Sequence, residues 1–501
     1  MKKQTTTGRL IGLSLIACQF AVNTAMAGGI LTNTNQSIDF LRNPARDGAI
    51  GLDGVYSNPA GVAFLSDGLH LAFNWQYAHQ TRTITSTNPL FAFGQKNNGE
   101  TVKTFEGVAD APVIPSLQAA YNKGPWSFQF NFSVPGGGGK CEFDDGLGSF
   151  ESVVGGIGQA LKPLGATGAY DMDGYMQGKQ YYFGFQLGAA YKITPDLAVY
   201  GGLRLLYGSA SYKAKISNIM VGMTTPDGVN VTVPFGTFID GAVDQIDRQI
   251  EQGQQALAAG LITADQAQAA MAQANAAKQQ LNALQVYRDG VNLQCDQSGV
   301  GISPVLGIDY KVGPLNFAVK YDFKTPMRLK NKSTLNEASE IAAVNKFRDG
   351  EKIDEDAPAL LTVGAQWSVL DNVRVNLGYH HFYDKNVTWY GNTQDLLKGG
   401  TNEYLGGAEW DINDKLTVSG GLQFTRYQLS DEYMNDMSFV TPSYSFGFGA
   451  KYQVSKVVSI GAAYFQTNYE HYKKVTSETP LVSDDFTRTN RVLGINCELT
   501  L

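Results

Sequence analysis

Charge is scarce in this sequence, and so are cysteine, histidine and long apolar runs. Only 17% of the 501 residues are charged, against roughly 25% in an ordinary soluble domain. The net charge of −7 and a pI of about 5.4 leave no basic surface for nucleic acid. Apolar stretches in the body of the chain fall short of the ~18 residues that a spanning helix needs. The five histidines and four cysteines never fall into zinc-ligand spacing. His70 and His79 lie an odd number of positions apart on one expected strand, and His380 and His381 are adjacent, so each pair faces opposite ways. There is no nucleophile elbow, phosphate loop or acid–base motif. These absences argue against an enzyme, a bound metal and any other cofactor.

What the chain has is glycine, 56 residues of it, aromatics at 11%, and alternation with a period of two. Trp126, Phe128, Phe130, Phe132 and Val134 alternate with Ser127, Gln129, Asn131 and Ser133. Successive side chains of a strand point to opposite faces, so this segment is greasy on one side and polar on the other. The same pattern runs through Leu315–Lys324, Tyr444–Gln453 and Leu493–Leu501. About fourteen such segments are expected, approximately 69–85, 113–122, 125–134, 175–193, 196–219, 297–312, 314–330, 357–369, 372–388, 402–412, 415–430, 441–453, 456–475 and 486–501. Tight turns such as Asn122–Pro125 and Lys311–Pro314 alternate with long links, the longest at 220–296. Short turns on one side and long loops on the other mark an all-β, antiparallel transmembrane barrel of the bacterial outer membrane. A closed barrel also satisfies every backbone polar group in lipid. The alternative is a secreted β-sandwich, whose greasy faces would form a core and whose loops need not alternate in length.

Lys2, Lys3 and Arg9 precede an apolar run from Leu10 to Ala17, and Ala25-Met26-Ala27 offers a small-x-small cleavage site. Residues 1–27 therefore read as a signal peptide, with a lipobox ending at Cys18 as the alternative. Of the remaining cysteines, Cys141 and Cys295 both fall in expected external loops, where they either pair or stand as unrelated thiols. Residues 28–68 do not alternate and are broken by Asn43-Pro44-Ala45 and Asn58-Pro59-Ala60. Some forty compact residues ahead of a barrel at 69–501 suit a plug for a wide lumen. Within the 220–296 loop, an Ala- and Gln-rich stretch with Thr263-x-x-Gln266 as a capping box predicts a helical hairpin broken near Gly260. Phe150–Leu164 has near-helical apolar spacing and suits an apolar lip among the loops.

A Gly48-Ala49 stretch leading to Asn58, Pro59 and Ala60, followed by fourteen strands, resembles the FadL-type transporters, which include long-chain fatty acid channels and TodX-like importers of aromatic hydrocarbons. The resemblance covers the layout of the whole mature chain, while its motif rests on residues 48–65. It implies a monomer in the Gram-negative outer membrane that takes hydrophobic small molecules, fatty acids first, from a groove among the external loops. The cargo would then pass to a lumen site beside the plug and leave through a kinked third strand. Here that strand runs into Val134-Pro135-Gly136-Gly137, either a break in the wall or a hinge at the strand's outer end. Lumen parity nominates Arg204, Lys320, Asp322, Lys324, Arg374, His380, Glu403, Glu409 and Lys451. Arg204 and Lys320, near mid-height, either meet a ligand carboxylate or pair with other charges across the lumen. A surface adhesin or receptor barrel is the competing function.

Overall fold

A computed structural model describes residues 33–335 and 341–501. The expected signal peptide, its expected cleavage site and Cys18 lie outside the described residues. The described chain forms fourteen barrel strands: β1 Gly68–Thr87, β2 Val102–Lys123, β3 Trp126–Phe143, β4 Ala166–Lys192, β5 Leu197–Thr224 and β6 Val291–Val312. Next come β7 (Leu315–Asp322 resuming at Arg328–Leu335), β8 (Lys352–Asp354, then Leu360–Leu370), β9 Val373–Phe382 and β10 Thr401–Asn413. The last are β11 Leu416–Arg426, β12 Ser443–Gln453, β13 (Val458–Tyr469 and Tyr472–Glu478) and β14 Leu481–Thr500. Each pairs antiparallel with the next, and β14 returns to β1, from His70 opposite Thr500 to Thr87 opposite Ser483, so the sheet has no free edge.

The two faces invert the soluble pattern. Phe73, Phe128, Leu187, Leu203, Leu377 and Ile495 are exposed on the outside, whereas Asn74, Gln129, Asn131, Gln186 and Asn376 are buried inside. That inversion excludes the β-sandwich, in which the apolar face would be the hidden one, and is what a surrounding bilayer requires. The outward face of β1 turns polar beyond Tyr77, at His79, Thr81 and Thr83. At 27 and 28 residues, β4 and β5 far exceed the ~9–11 residues needed to cross a membrane, so the barrel wall rises well past the lipid on the long-loop side.

Several strands run further than the sequence pattern predicts, and three do so most: β2 starts at Val102, β3 continues to Phe143 and β4 starts at Ala166. Above the lipid, neither face must be greasy, and the alternation that marks a strand fades while its ladder persists. The helical hairpin forms as α4 Phe235–Ala258 and α5 Ala264–Leu284, with a reciprocal Thr263–Gln266 capping box and Gly260 at φ +71° in the turn. The lip is α3, Gly148–Ala160, which buries Val154 and Ile157.

Cys141 and Cys295 form no disulfide. Cys141 stands opposite Gly178, Gly178 opposite Tyr212, and Tyr212 opposite Cys295. The two cysteines thus lie three strands apart in one row, about 14 Å at the usual strand spacing, twice the reach of a disulfide. They belong to strands β3 and β6, not to loops, and the ladder between them fixes their distance.

Candidate functional site

Residues 33–67 fold inside the barrel as short turns of helix, including α1 Ile38–Arg42 and α2 Gly54–Ser57. Charge anchors one end of this plug. Arg42 and Arg46 both reach Glu409 on β10, at 2.8 and 2.9 Å, while Arg42 holds Asp39 at 2.6 Å and Arg46 holds Asp53 at 2.8 Å. His380 on β9 bridges Asp47 of the plug, at 3.0 Å, to Glu403, at 2.7 Å. A polar cavity of about 360 Å³ opens beside this cluster, near the short turns. The plug backbone also lies directly on the wall: a Cβ at Gly48 would stand 2.5 Å from the Ala365 carbonyl carbon, and one at Gly364 would strike the Gly48 nitrogen. Asn58, Pro59 and Ala60 dock where the plug leaves for β1. Asn58 Nδ2 donates to Asp309 at 2.5 Å, Gln129 Nε2 donates to the Pro59 carbonyl at 2.7 Å, and Ala60 packs against Ala190, Ala198 and Val305.

The wall is broken between β2 and β3. These strands pair at Val108–Glu142 and again from Leu117–Phe132 inward, with no pairing between. Pro135, Gly136 and Gly137 lie inside this stretch of β3, and the β3–β4 register also slips at Gly136. A bulge here follows from chemistry: proline donates nothing to a ladder, and Gly137 takes a φ of +105° that other residues avoid. The plug supplies what β2 does not. Gln36 accepts from the Val134 N–H at 2.9 Å and donates to its carbonyl at 3.2 Å, and Asn33 donates to the carbonyls of Pro135 and Gly137 at 2.9 and 3.0 Å. On the other side of the gap, Ser116 of β2 donates to the Gln36 carbonyl at 2.6 Å. The N-terminal strap thus laces the two edges together. A cavity of about 180 Å³ crosses the wall here, lined inside by Ala78 and Gln80 and on the lipid side by Val113 and Phe183.

Above the membrane, α3 and the loops enclose a groove of about 560 Å³ with mainly apolar walls, among them Phe91, Val153, Ile216, Leu293 and Val344, within the size range of small-molecule sites. Its polar rim includes Asp436, which accepts from the Ser149 N–H at 2.7 Å. Burial pushes the Asp436 carboxyl up to about 6. A small chamber of about 70 Å³ shares Met176, Tyr212, Phe347 and Met437 with this groove, and Gly138 and Gly139 with the wall cavity. Groove, chamber and gap therefore adjoin one another in that order.

Arg204 and Lys320 stand together in the lumen but share one carboxylate, Asp322, each at 3.0 Å. Lys320 also donates to the Tyr56 carbonyl of the plug at 2.8 Å. The Arg204 Nε and the Tyr182 hydroxyl are buried without partners, and both residues line a void of about 30 Å³. The other nominated cations are paired: Lys324 with Asp356 at 3.2 Å, Arg374 with Asp411 at 2.6 Å, and Lys451 with Glu498 at 2.5 Å. Sequence reasoning did not find Asn33 and Gln36. The plug has no periodicity, and a single amide that bonds to a broken ladder leaves no pattern.

No family profile matches the chain, and neither does any curated protein. Among solved structures it is similar to a FadL homologue from Pseudomonas aeruginosa, with a TM-score of 0.59 and 12% identity, covering 94% of this chain and 100% of that one. The Pseudomonas putida toluene transporter TodX gives a TM-score of 0.51 at 12% identity over 90% of this chain and 94% of its own. A TodX variant described as a monoaromatic hydrocarbon channel gives 0.54 at 13% over 93% and 99%. The chain has the plugged, fourteen-stranded barrel fold of these FadL- and TodX-type channels.

Proposed function

We propose that this protein is a passive, non-enzymatic outer-membrane importer of hydrophobic small molecules, with long-chain fatty acids as its preferred cargo. The observation that carries the reading is the run of adjoining cavities from the outer groove, through the chamber, to a wall gap laced shut by the plug's N-terminal strap. Apolar cargo is captured above the membrane, where lipid-like walls replace water. It descends past Tyr212 and Phe347 and leaves sideways between β2 and β3 when Asn33 and Gln36 release the Val134–Gly137 edge. Beside the route, the Arg204 Nε and the Tyr182 hydroxyl offer buried donors that suit a carboxylate, which favours an acid over a bare hydrocarbon. The second reading is an aromatic hydrocarbon importer, supported by the likeness to TodX and by the aromatic lining of the groove. Native mass spectrometry of the purified barrel, offered palmitate and toluene, with uptake by cells expressing it, tests the proposal. Retained palmitate with strap-dependent uptake is the expected result. Binding of toluene alone would favour the second reading, and binding of neither would leave the barrel as a surface receptor or adhesin.

A further inference from the structure

Arg82 on β1 and Arg488 on β14 stand directly opposite each other in the ladder that closes the barrel. By parity with the buried Ile84 and Phe486, both point inward. Like charges facing across a ladder destabilise it, and every other ionised cation described in the lumen has an answer: Arg42, Arg46, Arg204, Lys320, Arg374 and Lys451 each hold a carboxylate within ion-pair distance. The opposed arginines do not. Arg488 is 6% exposed, lies over the Tyr469 ring at 4.9 Å and makes one long bond to Gln80, at 3.4 Å. The Nε atoms of both arginines are buried without a hydrogen-bond partner. A barrel assembled without cargo leaves two guanidiniums uncompensated at one height, an arrangement that costs stability unless an anion visits.

Their position says which anion. Arg82 lines the chamber between groove and gap, together with Met176, Phe347 and Met437. Gln80 and Asn490, the next inward-facing neighbours of the pair toward the membrane, line the wall cavity, and the side-chain Oδ1 of Asn490 is also buried without a partner. A chamber of about 70 Å³ suits a small head group. Four of its lining residues belong to the apolar groove, so a chain attached to that head has somewhere to lie. Guanidinium is planar and matches a carboxylate through two parallel hydrogen bonds.

We propose that the Arg82–Arg488 pair is a head-group station for anionic single-chain amphiphiles, carboxylates foremost, which holds the acid while its chain still lies in the outer groove. The station rests on the channel reading above and sharpens it: cargo is sorted by charge before it reaches the plug. The structure alone shows that the two arginines face each other inside the barrel and that neither has a carboxylate partner.

The test compares laurate with dodecanol, which match in chain and differ in head, by calorimetry on the full-length barrel in a nonionic detergent. The variants are Arg82→Gln, Arg488→Gln and the double substitution. Laurate affinity is expected to fall at least ~10-fold in each single variant, the equivalent of about 1.4 kcal/mol for a lost charge-assisted bond, with dodecanol affinity unchanged. Thermal melting of the ligand-free double variant is expected at or above that of the native barrel, because a repulsion has been removed; this also guards against misfolding as the cause. Equal laurate affinity in native and double-variant protein, with both ligands bound, would overturn the station and leave the channel reading standing. A parallel loss of laurate and dodecanol would also overturn it. Native protein that binds neither ligand would overturn the channel reading and the station with it.

Discussion

Truncating Gln36 to alanine tests whether the strap holds the wall shut. Val134 sits where β3 pairs with neither neighbour, so its backbone N–H and carbonyl depend on the Gln36 side chain. Gln36 is itself 3% exposed, so its loss leaves two buried polar groups without partners, at about 1–3 kcal/mol each before relief. Water entering from the adjoining cavity offsets part of this cost, leaving about 2 kcal/mol, or a ~30-fold rise in the opened population. Hydrogen–deuterium exchange with mass spectrometry reads this directly: the peptide over 131–137 should exchange about that much faster, while peptides from β9 to β12 do not change. Gln36→Glu keeps an acceptor for the Val134 N–H and loses the donor to its carbonyl, so a smaller, roughly 5-fold rise is expected. Unchanged exchange at 131–137 in the alanine variant would refute the reasoning. A uniform rise across all strands would refute it too, because it would show the strap stabilising the whole barrel rather than one edge.

Two further outcomes follow from the same geometry. The Asp436 carboxyl, raised to about 6 by burial beside Asp484, holds its proton more tightly in the folded protein than its ordinary value near 4 allows. Its contribution to stability is therefore full below about pH 4 and declines as pH rises to about 6. Ionised above that pH, it opposes anions in the groove, with Lys474 the lining cation nearby. Binding of decyl sulfate, which does not titrate, should weaken from pH 5 to pH 7 while decanol binding stays level, and Asp436→Asn should flatten the profile; a pH-independent native protein would count against it. Gly364→Ala puts a methyl group into the Gly48 backbone, an overpacking worth about 1–3 kcal/mol. Limited trypsin digestion should then cut at Arg42 or Arg46 in the variant and not in the native barrel, and equal resistance would show that the plug docks without that contact.

The barrel was legible because lipid imposes alternation: Trp126–Val134 reads as a strand from its greasy and polar positions alone, and so does Leu493–Leu501. The hairpin was legible for a local reason, since the Thr263 cap and the Gly260 turn act within a few residues. Legibility ends where the solvent changes. Beyond Val134 the alternation stops, Pro135–Gly139 resembles a loop, and nothing local reveals that β4 holds it in a ladder up to Phe143. Cys141 and Cys295 looked free to meet for the same reason. In the site, lumen parity turned Arg204 and Lys320 inward and left open whether each meets a ligand carboxylate or another lumen charge; sequence gives no distances, so only the structure identifies Asp322 as the partner of both. The plug is the least legible part. Its contacts at Gly48, Gln36 and Asn58 are long-range and specific to single atoms, and the signal for each lies on a strand far away in sequence.

The proposed side exit at the height of the lipid would also decide what the chain of a cargo molecule experiences on its way out. Exposing a methylene to water costs about 0.8 kcal/mol, so a chain of fifteen methylenes let out into the periplasm would face a climb on the order of 12 kcal/mol. Passing between β2 and β3, where Val113 and Phe183 already face hydrocarbon, avoids the climb. On the proposed route the wall gap would act as a valve between two oils: it would need no fuel, run either way, and take its direction from whichever process removes the cargo from the far side.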